Sequence, residues 1–339
     1  MRELPGQFGD AGGSLAERAV REFAGRFERD AEAVAVAPGR VNLIGDHTDY
    51  NDGFVLPLAI DRFTAVAGAP RTDRTIRVGS TRSGEVVTLA HDETDAGWTR
   101  YVRGVVELCR ESGLDAGGLD LWIDSSVPTG SGLSSSAALC VGIATLIETL
   151  AGREFGAMEK AKLCQRAEHE YAGVPCGIMD QAVIAGASAG SAMLLDCRSL
   201  GAAPVAIDES EVAVLVADTC QSRTLAGSAY ADRRAACERA ARMLGVDSLR
   251  DIGETPGGDD VLMRCARHVV SENARVLGFA EAAKAGDWKR AGEVMNASHA
   301  SLRDDFRITG EALDAMVECA QSIEGVYGAR MTGGGMGGC

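Results

Sequence analysis

The sequence predicts an α+β protein of two domains, on three observations. Strand-like and helix-like stretches are mixed without the regular βαβ rhythm of a doubly wound sheet. The run "GASAGSA" (186–192) interrupts the pattern near the middle of the chain. A length of 339 residues is enough for two domains, each with a substantial core. A boundary at 185/186 follows, with domains 1–185 and 186–339.

From the N-terminus, "SLAERAVREFAGRFER" (14–29) spaces its apolar residues as one helical face, with Ser14 as its cap and Glu17 three residues on. "VAVA" (34–37) reads as a buried strand. It leads into "GRVNLIGDHTDYNDG" (39–53), which sets Arg40, Asp46, His47, Asp49, Tyr50 and Asp52 between glycines. Such a stretch is either a polar surface turn or half of a binding site. "FVLPLAI" (54–60) and "FTAVAGA" (63–69) read as two strands, with Pro57 at an edge or bulge. "GWTRYVRGVVELCRESG" (97–113) is a helix ending at Gly113. "GLDLWIDSSVPTG" (118–130) alternates like a half-buried strand running into a loop. Then come a glycine-serine turn opening into a helix (131–152) and a further helix (158–173). Strands are predicted at "SAMLLDCR" (191–198) and "EVAVLVADT" (211–219). From about Thr224 to Glu324 the pattern is mainly helical.

Composition narrows the function. With 49 acidic and 34 basic residues the formal charge is -15, the opposite of a nucleic-acid footprint. No apolar run reaches membrane-spanning length, and "MRELPGQFGDAGG" lacks the apolar core of a signal peptide. The expectation is therefore a cytoplasmic protein without nucleic-acid or membrane partners. Ten cysteines stand singly, with no C-x-x-C pair, as reduced and mostly buried thiols. The five histidines are dispersed, which argues against a zinc site.

Three further stretches carry chemistry. In "VPTGSGLSSSAA" (127–138), Gly130 and Gly132 permit tight turns around Ser131 and Leu133. Ser134, Ser135 and Ser136 start the helix that Ala137 continues. Helix N–H groups and the helix dipole then favour a phosphate, and a serine hydroxyl can reach Mg²⁺. The lysine of a Walker A loop is absent. Alone, such a loop is no more than a serine-capped helix. "ARMTGGGMGGC" (329–339) is a second glycine-rich run, either a mobile tail or a backbone that must approach a ligand closely. In "AGVPCGIMDQA" (172–182), Asp180 sits beside apolar residues. It is either an N-cap or a carboxylate needing a partner such as Arg40. Glu168, on the helix upstream, reads as part of a solvated face.

Taken together, "PGRVNLIGDHTDYNDGFVLP", "VPTGSGLSSSAA" and "RMTGGGMGGC" resemble the sugar signature, phosphate loop and third motif of the galactokinases, members of the GHMP small-molecule kinase superfamily. "AEHEYAGVPCGIMDQ", "AYADRRAACE" and "SHASLRDDF" are similar to further blocks of that family. The resemblance implies a two-domain fold with the active site in the cleft between domains. It implies transfer of phosphate from ATP, with Mg²⁺, to the 1-hydroxyl of α-D-galactose. Asp180 matches the catalytic aspartate and Arg40 the arginine that pairs with it. Asp46, His47, Asp49, Gly177 and Tyr230 match galactose contacts. Ser134 and Ser135 match phosphate-loop serines, Glu168 the acid near Mg²⁺, and Trp98 and Tyr101 aromatics beside the nucleotide base. The expected assembly is a monomer or weak homo-oligomer.

The chain departs from the family pattern at Asp46, usually Glu, at Arg223, often His, and at Met336, often Phe. Family members also continue beyond the third motif, so the resemblance implies a C-terminal domain cut short at Cys339. The change at Asp46 keeps open a kinase for a neighbouring sugar, N-acetylgalactosamine or L-arabinose. A non-catalytic galactose- and ATP-binding sensor is the other alternative, against which stand the intact Ser136, Ala137 and Asp180.

Overall fold

A computed structural model describes residues 9–89, 97–221 and 226–339. The leader-free reading of the first residues and the departure at Arg223 fall wholly or partly outside these. The first elements are α1 (Gly9–Phe27), β1 (Ala33–Asn42), β2 (Phe54–Val55), β3 (Pro57–Arg71), β4 (Ile76–Ser80) and β5 (Val86–Leu89). Next come α2 (Thr99–Glu111), β6 (Gly118–Ser125), α3 (Ser135–Ala151), α4 (Ala157–Ala167) and α5 (Met179–Gly186). The last are β7 (Ser191–Asp196), β8 (Ala202–Ala206), α6 (Ala226–Leu244), α7 (Val261–Lys284), α8 (Trp288–Ser301) and α9 (Glu311–Gln321).

The chain divides into two compact units. The first holds residues up to Arg40, Ala59–Pro128 and Ser134–Gly186. Its sheet runs β1-β3-β6-β4-β5. β3 and β6 are antiparallel, Thr64 facing Ser125, while β4 and β6 are parallel, Ile76 facing Leu119. One sheet face, with Ala65, Ala67, Ala69 and Trp122, buries Leu15, Ala19, Phe23 and Phe27 of α1. On the other face Gly68 lets Leu146 of α3 approach, since a Cβ there would stand 2.5 Å from its methyl carbon.

The second unit holds Val41–Leu58, Thr129–Leu133 and Ala187–Cys339. It has a small sheet, β2-β7-β8, and a helical core in which Cys237, Cys265, Val269, Phe306, Ile308 and Met331 are buried. The sequence division at 185/186 leaves Val41–Leu58 with the N-terminal half. The hydrogen bonds show why the compact unit differs: Phe54 pairs with Asp196 of β7, and Gly45 and Phe54 donate their amides to α7 side chains.

Several elements differ from the sequence expectation. α1 begins at Gly9, so Ser14 is a helix-interior residue and not a cap. The buried stripe of residues 12, 15, 19, 23 and 27 already starts at Gly12, and burial along it outweighs the capping preference of serine. β1 continues through Gly39 and Arg40 to Asn42, so the loop starts only at Leu43. Of the two strands expected at 54–60 and 63–69, Phe54–Val55 form the separate β2, and the rest is one long strand, β3, on which Asp61 and Arg62 simply stand exposed. β6 is buried on both faces, not half-buried, because arginines meet its two aspartates: Arg77 and Arg71 hold Asp120, and Arg18 holds Asp124. The strand expected at 211–219 does not form. It joins no sheet among the described residues, and Leu215 is 91% exposed. No helix among the described residues is long and apolar enough to cross a membrane.

Phe23 is fully buried beneath the first sheet, its ring centre 4.7 Å from that of Phe27. Phe23→Ala is expected to cost about 3–5 kcal/mol of stability, measured by urea unfolding. A loss below about 1 kcal/mol would show that α1 is not part of the core.

Candidate active site

In the first unit, β1 is buried along its end, and Arg40 there is only 4% exposed. A buried guanidinium needs an anion. Asp180, the second residue of α5, supplies it in a two-pronged contact: Nε to Oδ1 at 2.8 Å and Nη2 to Oδ2 at 2.7 Å. Such planar pairing fixes orientation as well as charge. Of the two readings the sequence left open, an N-cap or a carboxylate partnered by a residue such as Arg40, the geometry shows the second. Ser134 donates its hydroxyl to Asp180 Oδ2. Ser134 precedes α3 in left-handed backbone geometry, φ +61°, and does not cap the helix with its side chain.

Glu168 was expected on a solvated face and is instead 3% exposed. α4 widens into a π-turn over Glu168–Ala172, which closes on Gly173 and turns this carboxyl inward. Gln181, next to Asp180, donates to Glu168 Oε1 at 2.7 Å. Burial pushes the Glu168 carboxyl up to about 7, against the hydrogen bonds it receives from Gln181 and Ser136. Gly177 is buried just before α5, and Ala137 is buried in the first turn of α3 behind Ser135. Trp98 immediately precedes α2 and Tyr101 lies in its first turn, both partly buried.

In the second unit the loop after β1 is wound tightly. Gly45 has φ +98°, and a Cβ there would stand 2.6 Å from the Phe54 carbonyl oxygen. His47 also takes a left-handed φ, +66°, and Asp49 opens a short 3-10 turn, Asp49–Asn51. α7 holds the loop from below. Glu272 accepts from the Gly45 amide at 3.0 Å, Asn273 from the Phe54 amide at 2.9 Å, and His268 Nε2 meets the Asp46 carbonyl at 3.1 Å. The Asp46 side chain is buried and bonded to Arg330, to Asn42 Nδ2 at 3.1 Å and to the Gly333 amide at 3.2 Å. His47 Nδ1 lies 2.8 Å from the Tyr50 hydroxyl, and its ring centre 4.7 Å from Phe306 and 5.4 Å from Tyr230 of α6.

The glycine-rich run 333–339 is largely buried and not a mobile tail. Met336 donates its amide to the Ile308 carbonyl at 2.8 Å, and Cys339 its amide to the Ser131 carbonyl at 3.2 Å. Glycine is required at 335, where a Cβ would fall 2.2 Å from the Ile308 oxygen. Ser131 and Leu133 are buried, and Gly130 and Gly132 have φ of +80° and +86°.

Arg40, Asp180, Ser134, Ser136 and Glu168 therefore meet in one unit, and Asp46, His47 and Tyr230 lie close together in the other. Sequence reasoning missed Asn42, Gln181, His268, Glu272 and Arg330. Only Arg330 left a signal, as a lone cation at the head of an apolar, glycine-rich run. The others are ordinary polar residues of strand and helix until the tertiary contacts exist.

Three family models match the chain. One is described as the galactokinase galactose-binding signature (residues 21–70), one as the GHMP kinases N terminal domain (100–188) and one as the GHMP kinases C terminal (279–339). The galactokinase of Chloroflexus aurantiacus is 46% identical over 323 residues, 90% of this chain and 82% of that protein. The Bos taurus galactokinase is 41% identical over 344 residues, 96% of this chain and 87% of that protein. Among solved structures, Lactococcus lactis galactokinase complexed with galactose superposes with TM-score 0.88 at 35% identity, over 95% of this chain and 88% of that one. A mevalonate kinase at 17% identity and TM-score 0.61, over 91% and 90% of the two chains, shares the fold alone.

The α7 contacts set a pH dependence. Burial pushes the His268 imidazole down to about 4, so it is neutral in the folded protein, its other nitrogen 2.9 Å from the Ser301 hydroxyl. With the folded value below the unfolded one, its contribution to stability is present above about 6.5 and lost as pH falls towards 4. The wild-type melting temperature should fall over that window, and His268→Gln should flatten the fall. An identical slope in the variant would refute the assignment.

Proposed function

The chain belongs to the galactokinase family of the GHMP kinases, and from that membership we propose that it transfers the γ-phosphoryl group of ATP to the 1-hydroxyl of α-D-galactose. The observation that carries the mechanism is the two-pronged Arg40–Asp180 pair with the Ser134 hydroxyl on the same carboxylate.

Phosphoryl transfer asks a protein mainly to position the reactants and to balance charge on the transferring group. Asp180, held in one orientation, aligns the sugar 1-hydroxyl. Held by Arg40 and Ser134, it accepts the proton late in the transfer. Arg40 faces the developing charge of the phosphoryl oxygens with the same guanidinium. His47, Asp49, Gly177 and Tyr230 hold sugar hydroxyls in this proposal, with Asp46 fixed beside them.

For ATP, the first turn of α3 offers its N–H groups, since Ser134 makes no side-chain cap and its hydroxyl is turned to Asp180. Gly130 to Ala137 form the phosphate loop, and Trp98 and Tyr101 flank the base. Ser134 and Glu168 are the residues that would hold Mg²⁺. Among the described residues no group of three or more His, Cys, Asp or Glu side chains could hold a metal unaided. That sparse donor set suits Mg²⁺, which keeps waters and takes most remaining ligands from substrate phosphates. When bound, the ion would neutralise charge on those phosphates.

The activity is tested by ADP release with galactose and Mg·ATP, and no ADP despite measurable galactose binding would support a sensor instead. Asp180→Asn should lower kcat by roughly 10²–10⁴-fold and leave galactose binding, by calorimetry, largely intact. Near-normal turnover in that variant would remove Asp180 from the mechanism.

A further inference from the structure

We infer that Arg330 is a specificity-determining positioning residue, which acts on sugar recognition through Asp46 and not on phosphoryl transfer. This rests on the sugar-kinase reading above and adds to it a residue of the third motif to which the resemblance gave no role.

Both partners are buried, the Arg330 side chain 3% and that of Asp46 2% exposed. Arg330 Nη2 bonds Asp46 Oδ2, while Oδ1 accepts from Asn42 Nδ2 and the Gly333 amide. The carboxylate is therefore anchored from strand β1 and from the glycine-rich run at once. Its direction is set before any sugar arrives. The main chain of the same residue is fixed separately, its carbonyl meeting His268 Nε2. Asp46 is thus held at both ends, and Arg330 supplies a cation to its side chain.

Arg330 is itself committed to this task. Its Nε and Nη1 are buried and find no hydrogen-bond partner among the described residues. A buried arginine without Asp46 would be an uncompensated charge, and so would Asp46 without Arg330. Where galactokinases usually have Glu, the shorter Asp46 reaches this arginine and the start of the glycine-rich run. A hydroxyl that approaches Asp46 meets an acceptor with a fixed direction. Such sites reject ligands that lack the matching hydroxyl much more strongly than apolar pockets reject a missing methylene.

The test compares wild type, Arg330→Met, Arg330→Lys, Asp46→Asn and the Asp46→Asn/Arg330→Met double variant. Readouts are kcat, KM for galactose and for ATP, melting temperature, and activity on 2-, 3-, 4- and 6-deoxygalactose and L-arabinose. Arg330→Met should raise KM for galactose about tenfold or more. It should narrow the preference for galactose over the deoxy sugar that lacks the hydroxyl facing Asp46, with KM for ATP and kcat within about threefold. Adding Asp46→Asn should recover part of the loss in melting temperature, because the stranded carboxylate is gone. Unchanged galactose KM and sugar preference in Arg330→Met would overturn the inference. So would a parallel rise in both KM values that tracks the melting temperature, the mark of a merely structural role. Should Arg330→Met not fold, Arg330→Lys and calorimetric galactose binding give the same decision. A wild type that neither binds nor phosphorylates galactose overturns the sugar-kinase reading and this inference together. An active wild type with an indifferent Arg330→Met overturns only the inference.

Discussion

A guanidinium placed on a buried strand cannot stay unpaired, and the first unit is organised around that constraint. Arg40 lies in the buried end of β1, so α5 has to start where its second residue can offer a carboxylate in the plane of the guanidinium. Ser134 follows from the same demand. Its left-handed backbone turns the hydroxyl away from capping α3 and towards Asp180. The π-turn at Glu168 is the third accommodation, an extra residue in the helical turn that brings a carboxyl in beside Gln181. Each departure from regular geometry lies next to the proposed chemistry, which is where strain is retained when it serves function.

The second unit solves a different problem, holding a polar loop rigid inside a helical domain. α7 does so with three residues on two adjacent turns, His268, Glu272 and Asn273, each bonded to main chain of the loop or of its exit into β2. Contacts to main chain fix the path without drawing on the loop's own side chains. The buried charges are balanced in kind: Asp46 and Glu272 against Arg330 and Arg275. His268 stays neutral among them because its burial disfavours the proton.

Much of this was legible in the sequence, for identifiable reasons. The loop 39–53, the serines before α3 and Asp180 stood out because polar or glycine-rich residues beside apolar runs conflict with simple burial. The helices α2 and α3 were legible from their periodicity. What escaped notice was set by tertiary partners. Ser14 reads as a cap until the stripe beginning at Gly12 is buried. Asp61 and Arg62 stand as a polar break between two strands until β3 runs straight through them. Glu168 reads as solvent-facing until the helix widens. Asp120 and Asp124 gave β6 a half-exposed pattern because nothing local announces that Arg71, Arg77 and Arg18, from distant segments, will cover them.

The segment 211–219 carries a consequence for the protein's colloidal behaviour. It is rich in valine, it joins no sheet among the described residues, and its Leu215 is almost fully bare. A stretch of this kind is a template for pairing between molecules. What opposes such pairing is the long-range repulsion of a chain with formal charge -15. That repulsion is screened within about 8 Å at physiological ionic strength and within about 3 Å at 1 M salt. Added salt therefore lowers the barrier to approach between two molecules while leaving the exposed strip intact.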